Sequence, residues 1–399
     1  MPLNVASIRR QFPFLTSHDG ATPSVYLDSA ATTQKPKAVL DAMQHFYEHD
    51  CGNVHRGMHR QTERATDAYE AARIAVQHFI NAAQSEEIIF TKNCTEALNL
   101  VAHSWGRTFL KSGDTVALSI LEHHSNIVPW LQLKEERNID IRWLDLDNVD
   151  LSGVKLVSIT GLSNVLGTAP DLPAIIAAAH RAGALVCIDA AQMVGHFPID
   201  VQALDCDFLA FSGHKLYGPT GIGVLYCKRK LLESMPPFLG GGMMIRDVTQ
   251  ESFTAANIPA RFEAGTPPIA EAVGLSAAID WLTEFPWNDR TQHEQKLLAT
   301  ALTALQSIDG LTILGPDNPK DVRGCISFVL DGVHPHDLTE LLGERGFSLR
   351  AGHHCAQPLH EHIGIAASTR LSVGIYNTEE EITSLASAIK ECMVRLRSP

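Results

Sequence analysis

The chain has 399 residues, 45% of them hydrophobic and 19% charged, enough for a large core and for two domains. A net charge of −13, with no Lys/Arg run longer than Lys228-Arg229-Lys230, argues against a nucleic-acid binder. No stretch approaches the roughly 18 uninterrupted apolar residues of a membrane span, residues 1–14 hold no apolar signal core, and eight cysteines in so long a chain do not form a disulfide framework; a reducing cytoplasm is the expected setting.

In chain order, strands alternate with helices. Glu87-Ile-Ile-Phe90 reads as a strand and Cys94 to Trp105 as a helix. Thr115 to Ser119 is the next strand, Ile127 to Lys134 the next helix, and Lys155 to Ile159 a further strand. Leu172 to Ala182 is a helix that Gly183 caps. Then come apolar runs that end at Ile188 and Phe211, with Gly223 to Tyr226 as a neighbour. This rhythm predicts an α/β fold, a mainly parallel sheet with helices on both faces. From about residue 270 the pattern changes. Helices are expected at 269–282, 290–308, 336–345 and 379–396, with a strand at 325–330, which together suggest a smaller α+β domain.

Two strand ends carry the chemistry. Asp189 follows Ala184-Leu-Val-Cys-Ile188, and Lys215 closes Ser212-Gly-His-Lys215 after Phe208-Leu-Ala-Phe211. Open α/β sheets bind ligands at such ends. A lysine there can form a Schiff base with pyridoxal phosphate, and a carboxylate can keep the pyridine nitrogen protonated, so that the ring acts as an electron sink. A structural Asp–Lys pair fits the same pattern. Thr91-Lys-Asn-Cys-Thr-Glu96 joins a strand to a helix, which suits an anion; Thr95 and Glu96 equally suit a plain helix start. In Glu122-His-His-Ser-Asn126, a histidine is placed either to stack on a ring or to sit solvated in a loop.

Arg350-Ala-Gly-His-His-Cys355-Ala-Gln-Pro is a second candidate. Cys187, Cys227 and Cys325 lie in apolar runs, whereas Cys355 lies in a loop whose Arg350, His353 and His354 would favour a thiolate. A structural cysteine is one alternative. A metal site of His353, His354, Cys355, His360 and His362 is another, but its spacing matches no standard zinc pattern, and no metal is expected.

The chain resembles group II cysteine desulfurases of the class V aminotransferase superfamily. The similar segments are Tyr26-Leu-Asp-Ser-Ala-Ala31, Asn53-Val-His-Arg-Gly57, Glu122 to Trp130, Ser163-Asn-Val-Leu-Gly167, Ser212 to Gly223, Arg261-Phe-Glu-Ala-Gly-Thr-Pro267 and Arg350 to Pro358, in order over nearly the whole chain. Such enzymes convert L-cysteine to L-alanine and leave a persulfide on a cysteine; some also act on L-selenocysteine. The resemblance implies a fold type I pyridoxal-phosphate-dependent transferase. Its large domain, residues 17–268, would have a mainly parallel seven-stranded sheet, and residues 1–16 with 269–399 would form the small domain carrying the cysteine loop.

Residue by residue, it implies that Lys215 forms the Schiff base, Asp189 meets the ring nitrogen, Gln192 meets the ring hydroxyl oxygen and His123 stacks on the ring and takes part in catalysis. Thr95, Ser212 and His214 would hold the phosphate, with Thr266 reaching it from the other subunit of a homodimer. Asn164, Arg370 and Arg350 would bind the substrate carboxylate, and Cys355 would take the sulfur. A sulfur-accepting protein, with iron–sulfur cluster assembly as destination, is the implied partner; nucleic acid and membrane are not. The segment 240–261 resembles the β-hook of group II.

Two positions depart from the family. Cys94 stands where a small hydroxyl residue is usual, which puts one phosphate contact in doubt. The stretch 146–155 is shorter than usual, and a trimmed surface loop or helix is expected there. Other readings remain: a selenocysteine lyase, a β-lyase or transaminase on the same scaffold, and a non-catalytic sulfur-assembly scaffold. A nucleophilic thiol disfavours the transaminase, and the joint presence of Lys215, Asp189 and Cys355 disfavours the scaffold.

Overall fold

The computed structural model describes residues 3–16, 24–55 and 57–396; the expected boundary at residue 17 and Arg56 of the Asn53–Gly57 motif lie outside them. The chain divides into two compact units, one of residues 38–161 and 171–282, the other of residues 1–37, 162–170 and 283–399.

The larger unit is built on a seven-stranded sheet. Its order is Ile88–Thr91, Gly223–Cys227, Phe208–Ser212, Leu185–Asp189, Val154–Thr160, Thr115–Ser119 and Asp140–Leu144. Only Gly223–Cys227 runs antiparallel to its neighbours. The central strands are mostly apolar and buried, with Lys155 their one exposed residue, as strands of a sheet covered on both faces must be. Asp140–Leu144 is an edge strand with one buried residue, Leu144, and its alternating pattern is weak. Leu144 and Val154 are joined by a loop in which Arg142 holds the carbonyls of Asp150 and Ser152, so the shortened stretch is a loop and not a helix.

The 20-residue helix Arg60–Phe79 escapes a search for apolar periodicity because its inner face is Ala65, Tyr69, Ala72, Arg73 and Val76. Arg73, 1% exposed, makes two hydrogen bonds to Glu263, at 2.8 and 2.9 Å, and one to the Ile88 carbonyl at 2.7 Å. Glu263 also accepts from the Phe90 N–H at 2.7 Å, which ties the Arg261–Pro267 motif to the sheet edge. The segment around residue 250 forms an antiparallel hairpin of Ile245–Val248 and Phe253–Ala255, the shape expected of the hook.

The smaller unit has a four-stranded antiparallel sheet in the order Leu311–Leu314, Cys325–Leu330, Ser368–Ser372 and Arg350–Gly352. Its core is closed by helices Trp287–Gln306, Pro335–Gly343 and Glu379–Leu396, with Leu297, Leu302, Phe328, Leu342, Leu371 and Ile389 buried together. A parallel pair, Val25–Tyr26 with Phe347–Ser348, brings the N-terminal segment into this unit. Among the described residues, no helix is long and apolar enough to cross a membrane.

Candidate active site

The first cluster lies along one edge of the seven-stranded sheet. Parallel strands that end at Thr91, Ser119, Thr160, Asp189 and Ser212 bring their C-terminal ends to the same side. Thr95, His123, Asp189, Gln192, Ser212, His214 and Lys215 all sit on or just after these ends, which is where such sheets bind ligands.

Asp189 is 2% exposed. Its Oδ1 accepts the Ala191 N–H at 2.9 Å and the Cys94 thiol at 3.4 Å. Burial raises its pKa, and the Ala191 N–H, the charge of Lys215 and the Cys94 thiol pull it partly back. Burial likewise pushes the Cys94 thiol well up, so it stays protonated and donates. Cys94 therefore serves the carboxylate with its side chain, while its N–H goes to Ser212 Oγ at 2.8 Å. The helix Cys94–Leu100 is capped by Asn93, whose Oδ1 accepts the Glu96 N–H at 2.9 Å; Thr95 is exposed and does not cap it.

His123 is half-buried, and its Nδ1 faces the Ser125 N–H at 3.1 Å and the Ser125 hydroxyl at 2.8 Å. With Nδ1 accepting, a neutral ring carries its proton on Nε2. The neighbouring Glu122 is fully buried and takes Asn126 Nδ2 at 2.6 Å and the Thr160 N–H at 2.9 Å; burial raises its pKa to about 8. Gln192 is buried, His214 and Lys215 are half-buried in the short turn Gly213–Lys215, and Thr266 is exposed beside a cleft of about 360 Å³ lined also by Phe46, Cys51 and Asn53.

The second cluster belongs wholly to the smaller unit. Arg350 and Arg370 stand directly opposite each other on neighbouring strands, an arrangement that repels unless a counter-charge intervenes. Asp28 supplies it. Its carboxylate takes Arg350 at 2.9 Å and Arg370 at 3.2 Å. Arg370, 2% exposed, also donates to the Asn164 carbonyl at 2.9 Å. Asn164 sits in the turn Ser163–Gly167, where Gly167 has φ 66° and a Cβ would lie 2.5 Å from the Cys325 carbonyl oxygen. Its Nδ2 donates to the His354 carbonyl at 2.7 Å. Arg370 Nε and Asn164 Oδ1 are buried and lack hydrogen-bond partners. A buried donor and a buried acceptor left open suit a ligand that carries both functions, as an amino acid does.

Cys355 follows this cluster directly. It is exposed, as is Cys51; the other six cysteines are buried, Cys187 and Cys227 with pKa values raised by burial. His354 and Cys355 have φ of 51° and 57°, two consecutive non-glycine residues in the left-handed region, each costing about 1–2 kcal/mol. Among the described residues, no group of three or more His, Cys, Asp or Glu side chains is placed to hold a metal.

The sequence did not single out Asp28, although the Tyr26–Ala31 motif contains it, because nothing local shows that a carboxylate there meets two arginines more than 300 positions away. It also gave no hint that Cys94 bonds Asp189.

Comparison with known proteins gives the family. The model of the Aminotransferase class-V family matches residues 25–385. A probable cysteine desulfurase of Synechocystis sp. is 45% identical over 395 residues, covering 96% of this chain and 94% of its own. A cysteine desulfurase of Pectobacterium atrosepticum is 45% identical over 402 residues and covers 98% of each. One from Synechococcus elongatus is 46% identical over 398 residues; the match takes in 97% of this chain and 63% of that longer relative. The crystal structure of the Escherichia coli cysteine desulfurase CsdA, in its S-sulfonic acid form, superposes with a TM-score of 0.90 at 41% identity, covering 98% of this chain and 99% of that one. The family model, the fold and the near full-length similarity agree: the chain belongs to the aminotransferase class-V family and, within it, to the cysteine desulfurases.

Proposed function

We infer that this protein is a pyridoxal-phosphate-dependent cysteine desulfurase that converts L-cysteine to L-alanine and keeps the sulfur as a persulfide on Cys355. The observation that carries the residue-level reading is the exposed Cys355 thiol one residue from His354, whose carbonyl is held by Asn164, the partner of the buried Arg370.

The residues fit the cofactor. Both bonds to Asp189 end on Oδ1, which leaves Oδ2 for a pyridinium N–H, and that cation would offset the burial cost that raises the Asp189 pKa. Ser212 Oγ accepts from Cys94, so its own proton is available for a phosphate oxygen. Lys215 would supply the amine and Gln192 a contact to the ring hydroxyl oxygen; Thr95 and His214 would join the phosphate site, and Thr266 would reach the site of a second subunit in a homodimer. The bound cofactor supplies an electron sink for the substrate's α-carbon.

The chain's own residues do the rest. Arg370, Arg350 and Asn164 hold the substrate carboxylate, the arginines through paired N–H donors. Lys215 removes the α-proton. His123 would stack on the ring, with its proton on Nε2 in the neutral form. The Cys355 thiolate attacks the substrate sulfur: an S–S bond forms, the Cβ–S bond breaks with its electron pair left on carbon, and protonation of that carbon gives the methyl group of alanine. The balance is L-cysteine plus enzyme thiol to L-alanine plus enzyme persulfide, without metal or external oxidant. A thiol or a sulfur-accepting protein then removes the outer sulfur, in a reducing cytoplasm.

The test is incubation of the holoenzyme with L-cysteine. With excess L-cysteine, an added thiol reductant should speed alanine formation and release sulfide in step; with one equivalent of L-cysteine and no reductant, alanine should appear with a matching amount of protein persulfide. Alanine formation without sulfide or persulfide would contradict the reading.

A further inference from the structure

Beneath Cys355 lies a buried side-chain cluster that the reaction does not use directly. His354, Ser368 and His360 are 7%, 0% and 0% exposed. Ser368 Oγ is 3.0 Å from His354 Nε2 and 3.0 Å from His360 Nε2. His360 Nδ1 is 3.0 Å from the Ala356 carbonyl oxygen. A carbonyl only accepts, so the His360 proton sits on Nδ1 and its Nε2 is an acceptor. The Ser368 hydroxyl therefore donates to His360, and its oxygen must accept from His354 Nε2–H. That leaves the His354 Nδ1 lone pair unused, and Nδ1 is indeed a buried atom with no partner. The chain thus has one direction: His354 to Ser368 to His360 to the Ala356 carbonyl.

The two ends of this chain are the residues on either side of Cys355. The His354 carbonyl is fixed separately by Asn164 Nδ2, and the Ala356 N–H closes a turn on the His353 carbonyl at 2.8 Å. The left-handed backbone at 354 and 355 is therefore held from both flanks. Ser368 and Arg370 are two apart on one strand and share a face, so the strand that carries the carboxylate-binding arginine also carries the anchor of the cysteine loop.

We propose that Ser368, with His354 and His360, is a positioning device that sets the direction of the Cys355 thiol for sulfur transfer. The proposal rests on Cys355 being the sulfur acceptor. Both imidazoles act through the backbone of residues 354–356. Loss of the link should leave substrate binding intact and slow the step in which the thiol must meet the sulfur, since a misplacement of about 1 Å at a reacting atom costs up to about 100-fold.

The test uses the holoenzyme carrying Ser368→Ala and, separately, His360→Leu, which breaks the other end of the chain while leaving Ser368 in place. Three quantities are measured: the change of the cofactor absorption band on adding L-cysteine, the single-turnover rate of persulfide formation at Cys355, and the rate of Cys355 alkylation by iodoacetamide without substrate. The expected result is an absorption change and KM within about twofold of the parent, with persulfide formation and kcat slowed by at least about tenfold and the alkylation rate changed by threefold or more. Parent-like persulfide and alkylation rates in both variants overturn the positioning role and leave the desulfurase reading intact. Sulfur found on another cysteine of the parent protein overturns the assignment of Cys355, and this proposal with it.

Discussion

Asp189 and Cys355 are placed by opposite means. Asp189 ends a buried strand, is paired in register with Thr160 and Ala210 on its two neighbours, and draws its electrostatic character from burial. Cys355 lies exposed on a left-handed turn and is positioned by side chains brought from residues 164, 360 and 368. On the proposed reading, the sheet edge holds groups that stay fixed, and the cysteine loop holds one that meets a substrate and then hands sulfur on. Regular secondary structure serves the first task, and side-chain hydrogen bonds over long sequence separations serve the second.

The largest effect expected at the sheet edge is from Lys215→Ala. Borohydride should fix the cofactor to the parent protein at Lys215 and leave no adduct in the variant, with desulfuration lost. An adduct that persists unchanged in the variant would remove Lys215 from its role. Asp189→Asn should keep the fold and lower kcat by at least about 100-fold, roughly 2.7 kcal/mol of barrier, because an amide cannot offset a pyridinium charge. Near-parental turnover would mean that the ring nitrogen has another partner.

The second cluster should answer differently. Asp28→Asn removes the counter-charge between Arg350 and Arg370. It should raise KM for L-cysteine about tenfold, an effect of roughly 1.4 kcal/mol, with a smaller change in kcat, as the arginines splay. Steady-state kinetics decide this, and an unchanged KM would show that the arginines hold their places without Asp28.

This contrast is also what the sequence could and could not convey. Asp189 and Lys215 were legible because each ends an apolar strand-length run, and strand direction then sets their location. Six strands of the large sheet followed from the same kind of run; the seventh, Asp140–Leu144, is an edge strand whose weak alternation left it unread, and the count of seven came only from the family resemblance. Helix Arg60–Phe79 was not legible, since its buried face includes an arginine neutralised by Glu263, nearly two hundred residues away. The strands at 311–314 and 350–352 are short and only partly buried, so their local signal is weak. Asp28, Ser368 and His360 are ordinary residues until the fold brings them to Arg370 and Cys355. His360 in particular read as a poor metal ligand, whereas the structure uses both its nitrogens in hydrogen bonds.

The smallest effect concerns Glu122. Its carboxyl has a folded pKa raised from 4.5 to about 8, so the folded state binds this proton more tightly than the unfolded state does. Its contribution to stability therefore declines as pH rises from about 4.5 and levels off above about 8. Glu122→Gln, which cannot ionise, should show a smaller fall in Tm between pH 6 and 8 than the parent protein. An identical fall in both would place that pH dependence elsewhere.

The most direct test of the account is peptide mass spectrometry of the parent holoenzyme after a single exposure to L-cysteine. One added sulfur on the peptide containing Cys355, removable by a thiol reductant, is the predicted result. Added sulfur on Cys51, the other exposed cysteine, with Cys355 unmodified, would contradict it.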